Sequence, residues 1–115
     1  MRILFRPEAR AEVLEAQTWY ESRAVGLGLE FARVVDAAVS SAARNPEAFA
    51  YVAGSCRRLL LRKFPFSLVF RVRGDQLLVI AVFHHRRNPT QLTQRTGRRL
   101  HGDVYHSAVP RSGPA

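Results

Sequence analysis

The chain has 115 residues, of which 47% are hydrophobic, and this size and composition suit one domain with one modest core. No apolar run approaches the roughly 20 residues that cross a bilayer, no secretion signal opens the chain, and the single cysteine, Cys56, excludes an intrachain disulfide. The formal net charge of +9 is confined to one stretch, because residues 57–100 hold eleven Arg and Lys against Asp75 alone, whereas residues 1–56 hold six Arg against seven acidic residues.

The first predicted elements are a strand and an amphipathic helix. Residues 2–5 are short and apolar and are bounded by Pro7, which predicts a strand, and Pro7 itself suits the first turn of a helix. Spacings of four and three then place one apolar stripe on that helix: Ala9, Val13, Ala16 and Tyr20. We expect this helix to end near Ser22, before Gly26.

A second helix with a more apolar stripe follows. The stripe consists of Leu27, Phe31, Val34, Val35, Ala38 and Ala42. Asn45-Pro46 ends the helix, because the residue before a proline disfavours the α region. Two helices joined by a glycine-containing turn predict an antiparallel hairpin, and the place of Trp19 and Tyr20 on the first helix predicts packing in the core or the hairpin rather than base stacking.

Three strands are predicted after the helices, at residues 57–63, 66–73 and 76–83, with turns at Phe64-Pro65 and Gly74-Asp75. In the second strand apolar and polar residues alternate, so Arg71 and Arg73 should point away from the helices. The third is apolar at nearly every position, as expected of a central strand that is covered on both faces. We therefore predict an α+β fold in the order β-α-α-β-β-β, with the helix hairpin packed on one face of a small antiparallel sheet and a basic opposite face.

The predicted organisation is a single domain over residues 1–100 and a C-terminal tail over residues 101–115. The tail contains Gly, Ser and Pro without an apolar period, so we expect it to be mobile or ordered only by a partner. The absence of a membrane-spanning run and of a secretion signal predicts a cytoplasmic protein without membrane contact. The uncompensated positive charge of residues 57–100 predicts an acidic or polyanionic partner, because like charges repel one another in the folded chain.

Four stretches in this order resemble the RelE/ParE toxin superfamily, in particular its ParE-like, plasmid-stabilisation branch. They are residues 15–21 (EAQTWYE), 26–31 (GLGLEF), 57–66 (RRLLLRKFPF) and 79–89 (VIAVFHHRRNP). The resemblance implies the toxin of a type II toxin–antitoxin system, with a helix hairpin on an antiparallel sheet, blocked by a cognate antitoxin. RelE-like members cleave mRNA on the ribosome, whereas ParE-like members are associated with poisoning DNA gyrase.

Our first hypothesis is an interaction toxin of the ParE type that inhibits growth without chemistry of its own. It would bind a large target, DNA gyrase, through a basic surface, and an acidic antitoxin would neutralise it. The candidate target-binding and anion-binding residues are Arg57, Arg62, Lys63, Arg71, Arg73, Arg86 and Arg87. Guanidinium groups suit this role because they bind phosphates and carboxylates in a bidentate manner. No metal-ligand spacing is present, and we expect no cofactor.

The alternative is a RelE-like endonuclease that cleaves mRNA on the ribosome. Cleavage by the 2′-hydroxyl needs a proton acceptor, a proton donor and cations, which His84, His85 and Arg86 could supply. The arginine that the RelE-like pattern places in the middle of the second predicted strand corresponds here to Ser67. A structural interpretation of the two histidines is that one packs at the strand end and the other is solvated. Whether the chain is an enzyme stays open at this point.

Overall fold

The structure is a computed structural model that describes residues 1–86; the tail and Arg87 lie outside these residues. Its elements in chain order are β1 (Arg2–Phe5), α1 (Pro7–Arg23), α2 (Leu27–Arg44), a short 3-10 helix (Pro46–Ala48), β2 (Tyr51–Ala53), β3 (Cys56–Leu60), β4 (Phe66–Arg73) and β5 (Gln76–His84). No helix within residues 1–86 combines the length and the apolar character needed to span a membrane. The predicted α+β class and the helix hairpin are confirmed.

The sheet has five strands in the order β1-β5-β4-β3-β2. Strands β2 to β5 are antiparallel neighbours, whereas β1 runs parallel to β5, with Ile3 beside Leu77 and Phe5 beside Val79. The prediction of an antiparallel sheet is therefore wrong at this edge, and the sheet is mixed. The prediction also missed β2, because this strand has only three residues and its side chains are largely exposed, which leaves no burial period to detect.

The two helices form a hairpin that covers one face of the sheet. On α1, Ala9, Val13 and Ala16 are buried, and Pro7 at the first turn and Glu8 beside it suit the helix N-terminus. Small side chains on this stripe allow the helices and the sheet to approach closely. At the hairpin, Gly28 of α2 lies so near α1 that a Cβ added there would meet the backbone oxygen of Gln17 at 2.6 Å.

The core between the helices and the sheet is built around aromatic rings. Phe31 of α2 is fully buried, and its ring centroid lies 5.1 Å from those of both Phe64 and Phe66. Tyr20 stacks on Phe31 at 5.4 Å and meets the edge of Phe64 at 4.8 Å. The predicted packing in the core or the hairpin is confirmed for Tyr20, whereas Trp19 lies outside the core, 52% exposed, with its ring against that of Tyr20.

The opposite side of the sheet, here called the far face, has an apolar centre. A bulge in β5 leaves Ile80 between Val79, which pairs with Phe70, and Ala81, which pairs with Val69. As a result Ile80 and Ala81 both belong to a second buried cluster, together with Val69 and Cys56. The far face is therefore apolar and buried at its centre, and its arginines lie around this cluster.

Candidate functional site

Three arginines lie on the far face and are here called the far-face arginines: Arg58, Arg71 and Arg73. Arg58 lies beside Val69 of the second cluster, so it shares that face, and the alternation along β4 places Arg71 and Arg73 on it as well. Arg71 and Arg73 sit towards the β4–β5 turn, opposite Leu78 and Gln76 of β5. No carboxylate within residues 1–86 forms an ion pair with any of the three.

Arg71 is the most perturbed of these side chains. Burial lowers the pKa of its guanidinium, and the positive charges of Arg73 and, more weakly, Arg6 lower it further. Each of these effects disfavours the charged form, and the guanidinium nonetheless stays protonated at neutral pH because an arginine pKa lies so far above it. The far face thus holds a crowded, partly desolvated positive charge, which an anion would stabilise.

Cys56 belongs to the apolar cluster of the far face, near Arg71, but it is not a reactive group. The thiol is almost fully buried, and this burial raises its pKa, while the charges of Arg71 and Arg6 lower it to a smaller extent. A buried thiol with a raised pKa is a poor nucleophile. We read Cys56 as a packing residue of the far face.

Two of the predicted anion-binding residues have structural partners instead. The guanidinium of Arg57 donates to the backbone oxygen of Phe49 and to the hydroxyl of Tyr51, both at 2.7 Å, and lies 4.0 Å from the centre of the Tyr51 ring. Arg57 pairs with Phe70 and so lies on the helix side of the sheet, where it ties β2 to β3. Lys63 forms an ion pair with Glu30 of α2 at 3.0 Å.

The remaining predicted arginines do not join Arg71 and Arg73. Arg62 is exposed in the loop between β3 and β4, and Arg86 follows the far end of β5. Arg87 lies outside the described residues. The structure therefore brings together Arg71 and Arg73 from the predicted set, places Arg58, which the set omitted, on the same face, and separates Arg57, Arg62, Lys63 and Arg86 from them.

The histidines at the end of β5 differ in their surroundings. His84 pairs with Phe66, packs against its ring with the centroids 5.2 Å apart, and accepts a hydrogen bond at Nδ1 from the backbone N–H of Arg86. His85 is exposed. This confirms the structural interpretation of one packed and one solvated side chain. Ser67 is fully buried, and its hydroxyl has no hydrogen-bond partner in the described part of the chain.

A second feature is a groove of about 540 Å³ between α1 and the end of β5, here called the α1/β5 groove. Its lining includes Glu12, Glu15, Trp19 and Tyr20 from α1, Phe66 from β4, and His84 and Arg86 from the end of β5. This groove was not predicted from the sequence. The available signal was the spacing of Glu8, Glu12, Glu15 and Trp19, which places acidic residues and an aromatic residue on one helical face.

Arginines lie on the far face towards the β4–β5 turn, and a groove with apolar and charged walls lies between α1 and the other end of β5. These features define a small α+β protein whose surfaces are suited to binding. No cluster of metal-ligating side chains occurs within residues 1–86. A family model described as "ParE toxin of type II toxin-antitoxin system, parDE" matches residues 3–89. This match spans most of the sequence, and the chain therefore belongs to the ParE toxin family, which confirms the resemblance.

A solved structure described as "Chromosomal ParDE TA system from P. aeruginosa" is similar in fold. Its TM-score is 0.62 at 20% sequence identity, and the match covers 73% of this chain and 95% of that chain. At this identity the likeness shows a common fold. None of the curated proteins compared with the chain matches it. The family match shows that the chain is the toxin of a type II toxin–antitoxin system, and the solved structure shows the same fold.

Proposed function

We propose that this toxin acts in the cytoplasm by binding DNA gyrase through the far-face arginines, and that a cognate acidic antitoxin neutralises it. The observation that carries the proposal is the crowding of Arg71 and Arg73 on a face that also holds Arg58, with no carboxylate among residues 1–86 paired to any of the three. Like charges held this close destabilise the free protein, and an acidic partner removes the penalty. Membership of the ParE family shows that the chain is a toxin, and the far-face arginines are the groups that we propose contact the target.

The geometry supports binding rather than catalysis at this face. Guanidinium groups at alternate positions of one strand, such as Arg71 and Arg73, point to the same face and present several N–H donors, which suits carboxylates and phosphates. The neighbouring side chains are apolar: Val69, Ile80, Ala81 and Leu78. None of these can accept or donate a proton, and the thiol of Cys56 in the same cluster is buried with a raised pKa. Within residues 1–86 the far face therefore offers cations and apolar area rather than an accessible acid–base group.

A supercoiling assay with purified gyrase tests the proposal. We expect the wild-type chain to inhibit supercoiling and the double variant Arg71→Ala, Arg73→Ala to inhibit at least about tenfold less, since two charge-assisted contacts are lost. The matched control is Arg33→Ala, Arg44→Ala, which removes two exposed arginines from α2. Equal inhibition by both double variants, or no inhibition by the wild-type chain, would contradict the proposal.

The second candidate function is mRNA cleavage on the ribosome. One observation favours it: the α1/β5 groove gathers His84, Arg86, Glu12 and Glu15, which are groups able to move protons and to hold a phosphate. Because Nδ1 of His84 accepts a hydrogen bond, the neutral ring carries its proton on Nε2 and could donate it. Cleavage of ribosome-bound mRNA that is lost in His84→Ala, with supercoiling unaffected by the wild-type chain, would support this candidate.

A further inference from the structure

Arg2 of β1 lies on the far face, in line with an arginine of β4 that is distant from it in the sequence. Ile3 and Phe5 of β1 pack on the helix side of the sheet, so the alternation along the strand turns Arg2 to the far face. Gln76 of β5 pairs with Arg2 on one side and with Arg73 of β4 on the other. Arg2, Gln76 and Arg73 thus form one row across three strands, here called the turn-end row, and both of its arginines are exposed.

The turn-end row is a straight line of hydrogen-bond donors. Neighbouring strands lie about 4.8 Å apart, so the backbones of its two arginines are separated by roughly 10 Å, with the amide of Gln76 between them. Over this length one strand of B-DNA carries about three phosphates, at one for every 3.4 Å or so of the helix axis. A nucleic-acid strand that crosses the row can therefore offer a phosphate to each of the three side chains.

The charges around the row leave it open to an anion. The backbone oxygen of Asp75, in the β4–β5 turn, accepts a hydrogen bond from the N–H of Arg2 at 2.7 Å, but its exposed carboxylate forms no ion pair with Arg2 or Arg73 among residues 1–86. Arg6, at the other end of β1, differs from them, because it is buried and its Nε lies 3.5 Å from Oε1 of Glu8. Arg6 thus adds positive charge to the far face without being accessible to a ligand.

The surroundings of the row differ from those of the other two far-face arginines. Arg71 pairs with Leu78, and Arg58 pairs with Val69 of the second buried cluster, so both lie beside apolar side chains. Protein interfaces combine an apolar centre with a polar rim, which matches the surroundings of Arg58 and Arg71. The turn-end row contains no apolar side chain, and a phosphate backbone, which offers regularly spaced charge, matches it better.

We propose that the turn-end row binds the sugar–phosphate backbone of the duplex DNA that gyrase holds. Arg2 and Arg73 contact phosphates through their guanidinium groups, and Gln76 donates from its amide to a phosphate between them. The inference rests on the proposed function for the identity of the target, and it adds a second ligand, because the toxin then contacts the DNA as well as the gyrase protein. Contacts to the backbone alone make this binding independent of base sequence.

Anisotropy of a labelled duplex of random sequence, titrated with the purified full chain in the absence of gyrase, tests the row. We expect Arg2→Gln to weaken binding at least about threefold at low salt and to reduce the slope of log affinity against log salt by about 1, since one phosphate contact is lost. The matched control is Arg33→Gln, which removes the same charge from an exposed position of α2 and should leave the slope unchanged. Equal slopes in the two variants, or no binding of the duplex at low salt, would overturn the inference.

Competition identifies the chemistry that the row prefers. We expect unlabelled duplex DNA to displace the labelled duplex, and polyglutamate at the same concentration of charge to displace much less of it. Equal displacement by polyglutamate would assign the row to an acidic protein, and tighter binding of single-stranded RNA would assign it to RNA. Either result would overturn the inference.

The supercoiling assay separates this inference from the proposed function. A chain that inhibits gyrase but does not bind the duplex through Arg2 would refute the DNA contact and leave the proposed function standing. A chain that binds the duplex through Arg2 but neither binds nor inhibits gyrase would refute the proposed function and leave the DNA site in place.

Discussion

The guanidinium of Arg71 lies on the far face at the point where burial and two neighbouring cations all lower its pKa. A cation whose pKa is lowered in the folded chain is held there at a free-energy disadvantage, and the disadvantage is present at every pH below the folded pKa. The residue proposed to bind the target therefore destabilises the free toxin.

Replacing this charge should make the protein more stable. We expect Arg71→Met, which keeps the aliphatic volume, to raise the free energy of unfolding at neutral pH by about 0.5 to 1 kcal/mol and to reduce growth inhibition. Urea denaturation at low ionic strength measures the effect. The control is Arg33→Met on α2, which should change stability by less than about 0.5 kcal/mol. A loss of stability in Arg71→Met would contradict the assigned crowding.

Glu21 carries a second charge effect, of opposite sign. Its carboxylate accepts hydrogen bonds from the backbone N–H groups of Gly26 and Gly28, each at 2.9 Å, at the start of α2. These two bonds lower the pKa of the Glu21 carboxyl from its ordinary value of 4.5, and the slight burial opposes them. The charged form is thus favoured in the folded chain, and its contribution to stability is present above the unfolded pKa.

This contribution should disappear in acid. We expect Glu21→Gln to be less stable than the wild-type chain at pH 7, and we expect the difference to shrink as the pH falls through the lowered pKa of the folded state, below 4.5. Urea midpoints measured from pH 7 to pH 3 report it. Glu15→Gln on the same helix serves as the control. A difference that stayed constant over this range would show that the Glu21 carboxylate does not cap α2.

At the scale of elements, the helix hairpin depends on one close contact. Gly28 is buried against α1, and a Cβ there would lie 2.6 Å from the backbone oxygen of Gln17. Backbone cannot move aside as a flexible side chain can. The two helices must therefore separate to accept any larger residue at this position, and separation also disturbs the Glu21 cap.

We expect Gly28→Ala to lower the free energy of unfolding by about 1 to 3 kcal/mol, despite the higher helix propensity of alanine. Chemical denaturation followed by circular dichroism measures it. Ser40→Ala, at an exposed position of α2, should be within about 0.5 kcal/mol of the wild-type chain. If Gly28→Ala proved as stable as the wild-type chain, the hairpin would be looser than the structure has it.

The sequence predicted the elements that have a burial period and missed those that depend on long-range pairing. The stripe through Ala9 and Val13 located α1, and the alternation around Arg71 assigned its face correctly. The parallel pairing of β1 with β5 could not be predicted, because four apolar residues specify a strand without specifying its neighbour. The bulge at Ile80 could not be predicted either, because a strand that is apolar at every position does not show which residues face which side of the sheet.

The candidate site was only partly predicted, because its side chains are brought together by the fold and not by their spacing in the sequence. Charge counting found the basic half of the chain, but it could not show that Arg57 bonds to Tyr51 across the β2–β3 hairpin or that Lys63 pairs with Glu30 of α2. The first contact depends on a short strand that was not predicted, and the second joins distant parts of the sequence. The α1/β5 groove was missed because its walls come from α1 and β5, which are separated by the whole hairpin and sheet. Trp19 was predicted to pack in the core or the hairpin, and its position on a helix could not show that it is 52% exposed.

On the scale of the whole molecule, the far-face arginines and the α1/β5 groove lie at opposite ends of β5. The far-face arginines cluster towards the β4–β5 turn, whereas the groove lies beyond the end of β1. The two regions therefore lie apart on the surface of the toxin.

The most direct test is the affinity of the purified toxin for purified DNA gyrase, measured by fluorescence anisotropy over a range of salt concentrations. The account predicts binding that weakens steadily as salt increases, because arginine contacts are screened, and that is at least about tenfold weaker in Arg71→Ala, Arg73→Ala. No binding at low salt, or equally tight and salt-independent binding by the double variant, would contradict it.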